Sequence, residues 1–128
     1  MNQDLEGNLF QRLGGAKQLA DIIDNTYERV LADPTLSPFF ENVPMERLRK
    51  MQFHFLAAAF DDPTEYSGAE LTAAHAGRGI GADEFSRFCG HFLDACVFLG
   101  VPKDEINHAV ARLALFRDKV TGDANVDG

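Results

Sequence analysis

The chain has 128 residues, which fits one domain and leaves no room for two. It carries 12 Lys and Arg against 20 Asp and Glu, so its net charge is −8 at pH 7. Nucleic acids and anionic membranes bind clustered positive charge, so this balance argues against both as partners. Eleven Phe, two Tyr and no Trp leave two interpretations open: a large apolar core, or a pocket for a flat apolar group.

Apolar residues recur with helical spacing along most of the chain, between breaks rich in Gly and Pro. The predicted helices cover residues 5–13, 16–32, 45–60, 69–76, 82–99 and 103–121. No segment alternates apolar and polar residues over the length of a strand, so the sequence predicts an all-α domain over residues 1–120. Residues 121–128 are small and polar, and we expect them to form a disordered tail.

The two cysteines are predicted to be free thiols. Cys89 and Cys96 lie seven residues apart on one predicted helix, which separates them by about 10 Å. A disulfide needs Cα atoms within about 7 Å, so we expect no bond between them and a reducing, cytoplasmic location. The longest uncharged apolar run covers residues 55–60, far short of the roughly 20 residues that span a bilayer.

Three polar side chains lie on otherwise apolar helical faces. They are His75, Tyr27 and Gln52, on three different predicted helices. Each could simply be a core residue with a hydrogen-bonding partner, because burying an unpaired polar group costs about 1–3 kcal/mol. An imidazole, a phenol and an amide facing a Phe-lined interior also fit a flat cofactor that carries a metal. The imidazole would then bind the metal, and the other two groups would contact a bound ligand.

The other three histidines share helical faces with charged residues, and we expect them to be exposed to solvent. They are His54, His91 and His108.

Several short segments, taken in order, match a known family. They are Leu-Gly-Gly at 13–15, Tyr-Glu-Arg-Val-Leu-Ala-Asp at 27–33, Leu-Ser-Pro-Phe-Phe at 36–40, Gln-Phe-His-Phe at 52–55, Ala-His-Ala-Gly-Arg-Gly-Ile at 74–80, Gly-Val-Pro at 100–102 and Arg-Asp at 117–118. Through these segments, residues 9–120 resemble the group I truncated hemoglobins. The resemblance implies a shortened globin fold, a two-over-two helical sandwich around haem b and its iron.

The resemblance also assigns roles to the three polar residues. His75 matches the proximal ligand of the haem iron, Tyr27 the tyrosine that donates its O–H to bound O₂, and Gln52 a second hydrogen-bonding residue. It implies reversible O₂ binding, with NO and CO as further ligands. Similar proteins are associated with the dioxygenation of nitric oxide, which needs a reductase that the sequence does not identify.

Further positions match residues that contact the cofactor in that family. Those expected to contact haem are Phe40, Leu48, Met51, Phe55, Phe85 and Phe88, with Arg47 and Arg78 beside the propionates. Met51 is expected to pack against the haem edge or to cap the pocket. The remaining phenylalanines that we assign are expected to join helix to helix: Phe10, Phe39, Phe92 and Phe116.

Two departures from the family pattern matter. Leu115 stands where some relatives attach haem covalently through a histidine, so we expect non-covalent haem. Asp61-Asp62 replaces a frequent Gly-Gly, so the following link is expected to take a different path. Alternative functions are a haem-based ligand sensor or electron-transfer module in which Met51 is an internal sixth ligand, or a weak peroxidase. We expect a monomer or a weak homo-oligomer.

Overall fold

A computed structural model describes residues 9–61 and 80–117. Its elements are α1 (Leu9–Arg12), α2 (Gly15–Leu31), a 3₁₀ helix (Ser37–Phe40), α3 (Met45–Asp61), α4 (Ala82–Phe98) and α5 (Lys103–Ala114). The described residues contain no strand, which confirms the all-α prediction. The predicted helix at 69–76, the tail at 121–128 and the link from residue 62 lie outside the described residues.

Glycine or proline directly precedes the first residue of several long helices and marks where they begin. Gly14 precedes α2 with φ 119°, and a Cβ there would lie only 2.6 Å from the Cβ of Gln18. Pro44 precedes α3 and Pro102 precedes α5, where a missing N–H removes no helical hydrogen bond. The predicted bounds of α2, α3 and α4 are therefore right to within one residue.

The end of α5 differs from the prediction of one helix over 103–121, because α5 ends at Ala114 and a turn follows at 115–116; residues 118–121 lie outside the described residues. The N–H groups of Leu115 and Phe116 donate to carbonyls three residues back, at Arg112 and Leu113, and so tighten the last turn. This turn buries Phe116, which is 5% exposed, and leaves Leu115 64% exposed. The helical spacing of apolar residues did not predict this turn after Ala114.

The core lies mainly where α2 packs against α4 and α3, and where α4 packs against α5. Its largest fully buried side chains are Phe60, Phe92, Leu9, Leu19, Ile22, Val30, Thr26 and Cys96. The hydroxyl of Thr26 donates to the carbonyl of Ile22 at 2.7 Å, so this buried polar group is satisfied within its own helix. Cys89 and Cys96 are free, as predicted, and burial raises the pKa of Cys89 to about 11 and of Cys96 to about 12.

The prediction that His91 is exposed to solvent is wrong, because its side chain is only 21% exposed. Its Nε2 lies 2.8 Å from Oδ2 of Asp33, a buried carboxylate just after the end of α2. The guanidinium of Arg87 lies 3.5 Å from the same oxygen, and the N–H of Thr35 donates to Oδ1 at 2.8 Å. The His91 contact, then the Thr35 N–H, holds the pKa of Asp33 below its usual value. The pattern of α4 could not show this, because the partner comes from another helix.

His54 and His108 are exposed, as predicted. Within residues 9–61 and 80–117, no helix combines the length and apolar character that crossing a bilayer requires.

Candidate functional site

A cavity of about 770 Å³, counting the space open to solvent, lies between the long helices and the 3₁₀ helix. Its walls are Tyr27, Leu36, Phe39, Phe40, Leu48, Gln52, Phe55, Leu56, Ile80, Glu84, Phe85, Phe88, Leu113 and Phe116. Six of the eleven phenylalanines line it. The Phe residues therefore serve both a cavity and the core, because the remainder includes core residues such as Phe60 and Phe92.

Edge-on aromatic contacts shape the cavity around Tyr27. Its ring centroid lies 5.7 Å from that of Phe40, at 75° between the planes, and 5.7 Å from that of Phe88, at 55°. Phe55 and Phe116 meet at 5.2 Å and 82° on the α3 and α5 side. Such pairs are worth about 0.5–1.5 kcal/mol beyond area burial, so they hold the phenol and the walls in place.

Tyr27 and Gln52 place polar groups at this apolar cavity. Tyr27 is 2% exposed and Gln52 is half-buried. No group in the described part of the chain forms a hydrogen bond with the Tyr27 hydroxyl or the Gln52 amide. Burial raises the pKa of Tyr27 far above its usual value, and the charge of Arg49 opposes that shift. The phenol therefore stays protonated at neutral pH and is available as a donor.

The structure brings together most of the residues singled out from the sequence. Those that line the cavity are Tyr27, Phe40, Leu48, Gln52, Phe55, Phe85 and Phe88. Met51 is 52% exposed, Arg47 is exposed, and neither lies in the cavity wall. His75 and Arg78 lie outside the described residues.

Two residues assigned to helix packing line the cavity instead. Phe39 enters the wall from the 3₁₀ helix, where Pro38 sets the turn, and Phe116 enters through the early end of α5. Both depend on short turns, which helical spacing does not predict. Phe10 and Phe92 do pack between helices as expected, against Phe53 at 6.5 Å and Phe60 at 6.2 Å.

Glu84 was missed as a wall residue. Its Oε1 accepts the N–H of Gly81 at 2.8 Å, which fixes the start of α4. The signal was a glycine followed three residues later by a glutamate at a predicted helix start, which is half of a capping box. That capping role explains a carboxylate in an otherwise apolar wall.

Known proteins are similar to this chain in sequence. A profile of the bacterial-like globin family matches residues 8–122. The chain is 37% identical over 118 residues to the group 1 truncated hemoglobin of Mycolicibacterium paratuberculosis, covering 91% of this chain and 87% of that protein. The chain belongs to the group 1 truncated hemoglobins, within the bacterial-like globin family. Another group 1 truncated hemoglobin, from Chlamydomonas moewusii, is 33% identical over 88% of this chain and 67% of its own length.

Solved truncated hemoglobins confirm the fold. The Fe(III) form of the Tetrahymena pyriformis protein superposes with a TM-score of 0.80 at 27% identity, covering 88% of this chain and 97% of that one. The 2/2 hemoglobin from Synechococcus, in the cyanomet state and with covalently attached heme, superposes with a TM-score of 0.82 at 25% identity, covering 91% and 99%. The predicted two-over-two globin fold is therefore correct.

Membership among the truncated hemoglobins implies haem, iron and the binding of small gaseous ligands such as O₂. The cavity fits that group, because its Phe walls offer flat apolar surface to a porphyrin. The hydroxyl of Tyr27 and the amide of Gln52, which have no partner in the described residues, would be left unsatisfied by an apolar group alone.

Proposed function

We propose that the chain holds haem b non-covalently in this cavity and binds O₂ reversibly beside Tyr27 and Gln52. The observation that carries the proposal is a pair of donors that face a Phe-lined cavity and have no hydrogen-bond partner among residues 9–61 and 80–117. His75 is the proposed iron ligand, on its match to the family's proximal histidine and on the usual globin arrangement. Phe40, Phe55, Phe85, Phe88 and Leu48 are the proposed porphyrin contacts on the walls.

When bound, ferrous haem supplies an iron coordination site for a diatomic ligand. Tyr27 donates its hydroxyl hydrogen to a ligand that has gained partial negative charge, and Gln52 donates from α3. Phe40 and Phe88 fix the phenol ring, so the donor needs little reorganisation when the ligand arrives. A hydrogen bond to a charged acceptor is worth about 1.5–3 kcal/mol, or roughly 10- to 100-fold in affinity.

Arg47 and Arg78 remain proposed partners of the propionates, and Met51 a proposed neighbour of the haem edge. The position of Met51 bears on the choice of function, because a side chain 52% exposed and outside the wall is a poor internal iron ligand. The placement therefore favours O₂ binding over a sensor or electron-transfer module that relies on a sixth protein ligand.

Non-covalent attachment rests on Leu115. This side chain is 64% exposed and has no nucleophilic atom. Haem should therefore pass completely into acidified organic solvent. Haem retained by the denatured protein would contradict non-covalent binding.

The finer proposal is that O₂ held beside the two donors reacts with nitric oxide. One NO, one O₂ and one electron give one nitrate, and the electron comes from an external reductase. The same donors that stabilise charge on O₂ support this reaction. With 20 acidic and 12 basic residues, the chain suits a reductase with a basic docking face. Two free cysteines support a cytoplasmic location, where such electron donors are available.

Absorption spectra of the purified protein test the two levels of the proposal. The ferric, ferrous, oxy and carbonmonoxy forms should each show the Soret band of a haem protein, and a colourless protein would contradict haem binding. Mixing the oxy form with nitric oxide should then give ferric protein and nitrate at a rate near the diffusion limit. Slow oxidation without nitrate would leave O₂ binding intact and would exclude the dioxygenase reaction.

A further inference from the structure

Arg49 lies at the junction of α2 and α3, close to Tyr27 but outside the cavity wall. Its Nε is buried, and among the described residues it has no hydrogen-bond partner. It lies 3.6 Å from Oδ1 of Asp24, an ion pair longer than a hydrogen bond. Buried guanidinium N–H groups are almost always paired, so this position calls for an explanation other than packing.

The ion pair of Arg49 and Asp24 lies one turn from both proposed donors. Asp24 precedes Tyr27 by three residues on α2, and Arg49 precedes Gln52 by three on α3, so each is a neighbour on the helix surface. Burial raises the pKa of Tyr27, and the Arg49 charge opposes that shift, which agrees with this placement of the guanidinium near the phenol.

The two charges of the pair do not cancel at the cavity. The side chain of Arg49 is 35% exposed, whereas that of Asp24 is 60% exposed and is better screened by water. Among the described residues, the charged side chain in the cavity wall is Glu84 on α4, whose Oε1 accepts the N–H of Gly81. Of the two charges in the pair, that of Arg49 is therefore the less screened by water.

We propose that Arg49 determines ligand specificity in this cavity, because its charge favours ligands that carry negative charge over neutral ligands, and that Asp24 attenuates this preference. The inference rests on the proposed function, since it needs haem to hold the ligand. Arg49 acts through its field on the Tyr27 end and does not touch the ligand. The competing explanation is that the pair only fastens α2 to α3.

The sign of two substitutions separates the explanations. Arg49→Gln removes the positive charge and should weaken anion binding, whereas Asp24→Asn removes the attenuating charge and should strengthen it. If the pair only fastens the helices, both substitutions loosen the same junction and should change anion binding in the same direction. Arg49→Lys keeps the charge without the guanidinium and should largely restore wild-type behaviour.

Equilibrium titrations of the ferric, haem-loaded protein with azide and with imidazole at pH 8 and low salt provide the test. For a charge on the order of 8 Å away in an effective dielectric of about 20 to 40, Arg49→Gln should weaken azide binding about 5- to 30-fold. Imidazole, which is neutral, should bind within about 2-fold of wild type. Asp24→Asn should tighten azide binding by about 2-fold, a smaller effect because Asp24 is more exposed.

Lys17→Gln is the matched control. Like Arg49→Gln, this substitution removes one positive charge. The side chain of Lys17, on α2, is 88% exposed, and Lys17 lies ten residues from Tyr27, about 15 Å along the helix. Azide affinity in this variant should stay within about 1.5-fold of wild type at the same salt.

The inference is overturned if Arg49→Gln leaves azide affinity unchanged, if azide and imidazole weaken together, or if Asp24→Asn and Arg49→Gln move azide affinity the same way. A wild type that takes up no haem overturns the proposed function, and this inference with it. Haem-loaded variants whose azide affinity changes in the direction opposite to that predicted overturn this inference alone.

Discussion

Thr26 and Tyr27 are adjacent on α2 and almost equally buried, at 1% and 2% exposure, yet their hydroxyls are treated differently. Thr26 faces the core and donates to the carbonyl of Ile22 at 2.7 Å. Tyr27 faces the cavity, and nothing in the described residues pairs with its hydroxyl. One helix thus contributes a satisfied polar group to the fold and an unsatisfied one to the site.

This difference shows that burial alone does not separate core from site. An unpaired polar group sealed in the core costs about 1–3 kcal/mol, so the packed side of α2 pairs its hydroxyl, whereas the Tyr27 hydroxyl faces the open cavity. The aromatic residues divide in the same way. Phe92 is closed against Phe60 in the core, whereas Phe40 and Phe88 surround the Tyr27 ring at the open cavity.

The largest expected effect is on stability and concerns a phenylalanine of the packed core. Phe92→Ala should lower the free energy of unfolding by about 3–5 kcal/mol, because it leaves a hole in a closed core. Urea denaturation measures it. Phe98→Ala is the matched control on the same helix, since Phe98 is 70% exposed and contacts only the Arg29 guanidinium at 5.8 Å among the contacts described. It should cost no more than about 1 kcal/mol. Equal losses in the two variants would contradict the assignment of Phe92 to the core.

The next effect is on the cavity side. Gln52→Leu should weaken O₂ binding about 5- to 10-fold, because it removes one donor to a partly charged ligand and keeps the side-chain volume close. The control is Gln18→Leu, since the Gln18 amide donates to the carbonyl of Leu99 at 3.4 Å and is not part of the cavity wall. Stopped-flow O₂ binding should be unchanged in that control. An unchanged O₂ affinity in Gln52→Leu would remove Gln52 from the site.

A smaller effect concerns the Asp33 contact between the end of α2 and α4. The pKa of Asp33 is lowered in the folded chain, chiefly by His91, so its contribution to stability is present above the usual aspartate pKa of about 3.9 and is lost as the pH falls below it. Asp33→Asn should therefore flatten the loss of stability between pH 7 and pH 3, measured by urea denaturation. Asp21→Asn, at a half-buried position on α2 where the partner is the exposed Lys17, should keep the wild-type slope. Identical slopes for wild type and Asp33→Asn would contradict the role of this contact.

Much of the fold could be predicted from the sequence, because the start and end of a helix depend mainly on residues that are close together in the chain. The spacing of apolar residues gave α2, α3 and α4 to within one residue, with Pro44 and Pro102 marking starts. The contact of His91 with Asp33 could not be predicted, because it joins two helices far apart in the chain. The early end of α5 was also missed, since it depends on burying Phe116 rather than on any breaker.

Part of the site could also be predicted from helical spacing. Tyr27 and Gln52 are visible in the sequence as polar residues on apolar faces, and the structure places both in one cavity. Phe39 and Glu84 are set by a 3₁₀ turn and a helix cap, so their place in the wall needs coordinates. The proximal role of His75 stays a prediction, because that residue lies outside the described part of the chain.

The most direct test of the central claim is the O₂ dissociation rate of Tyr27→Phe beside Thr26→Val. Tyr27→Phe should release O₂ about 10- to 100-fold faster, with the free energy of unfolding little changed, because no group in the described residues pairs with its hydroxyl. Thr26→Val should lower the free energy of unfolding by about 1 kcal/mol and leave O₂ release within about 2-fold of wild type. O₂ release that is unchanged in Tyr27→Phe, or that rises equally in both variants, would contradict the account.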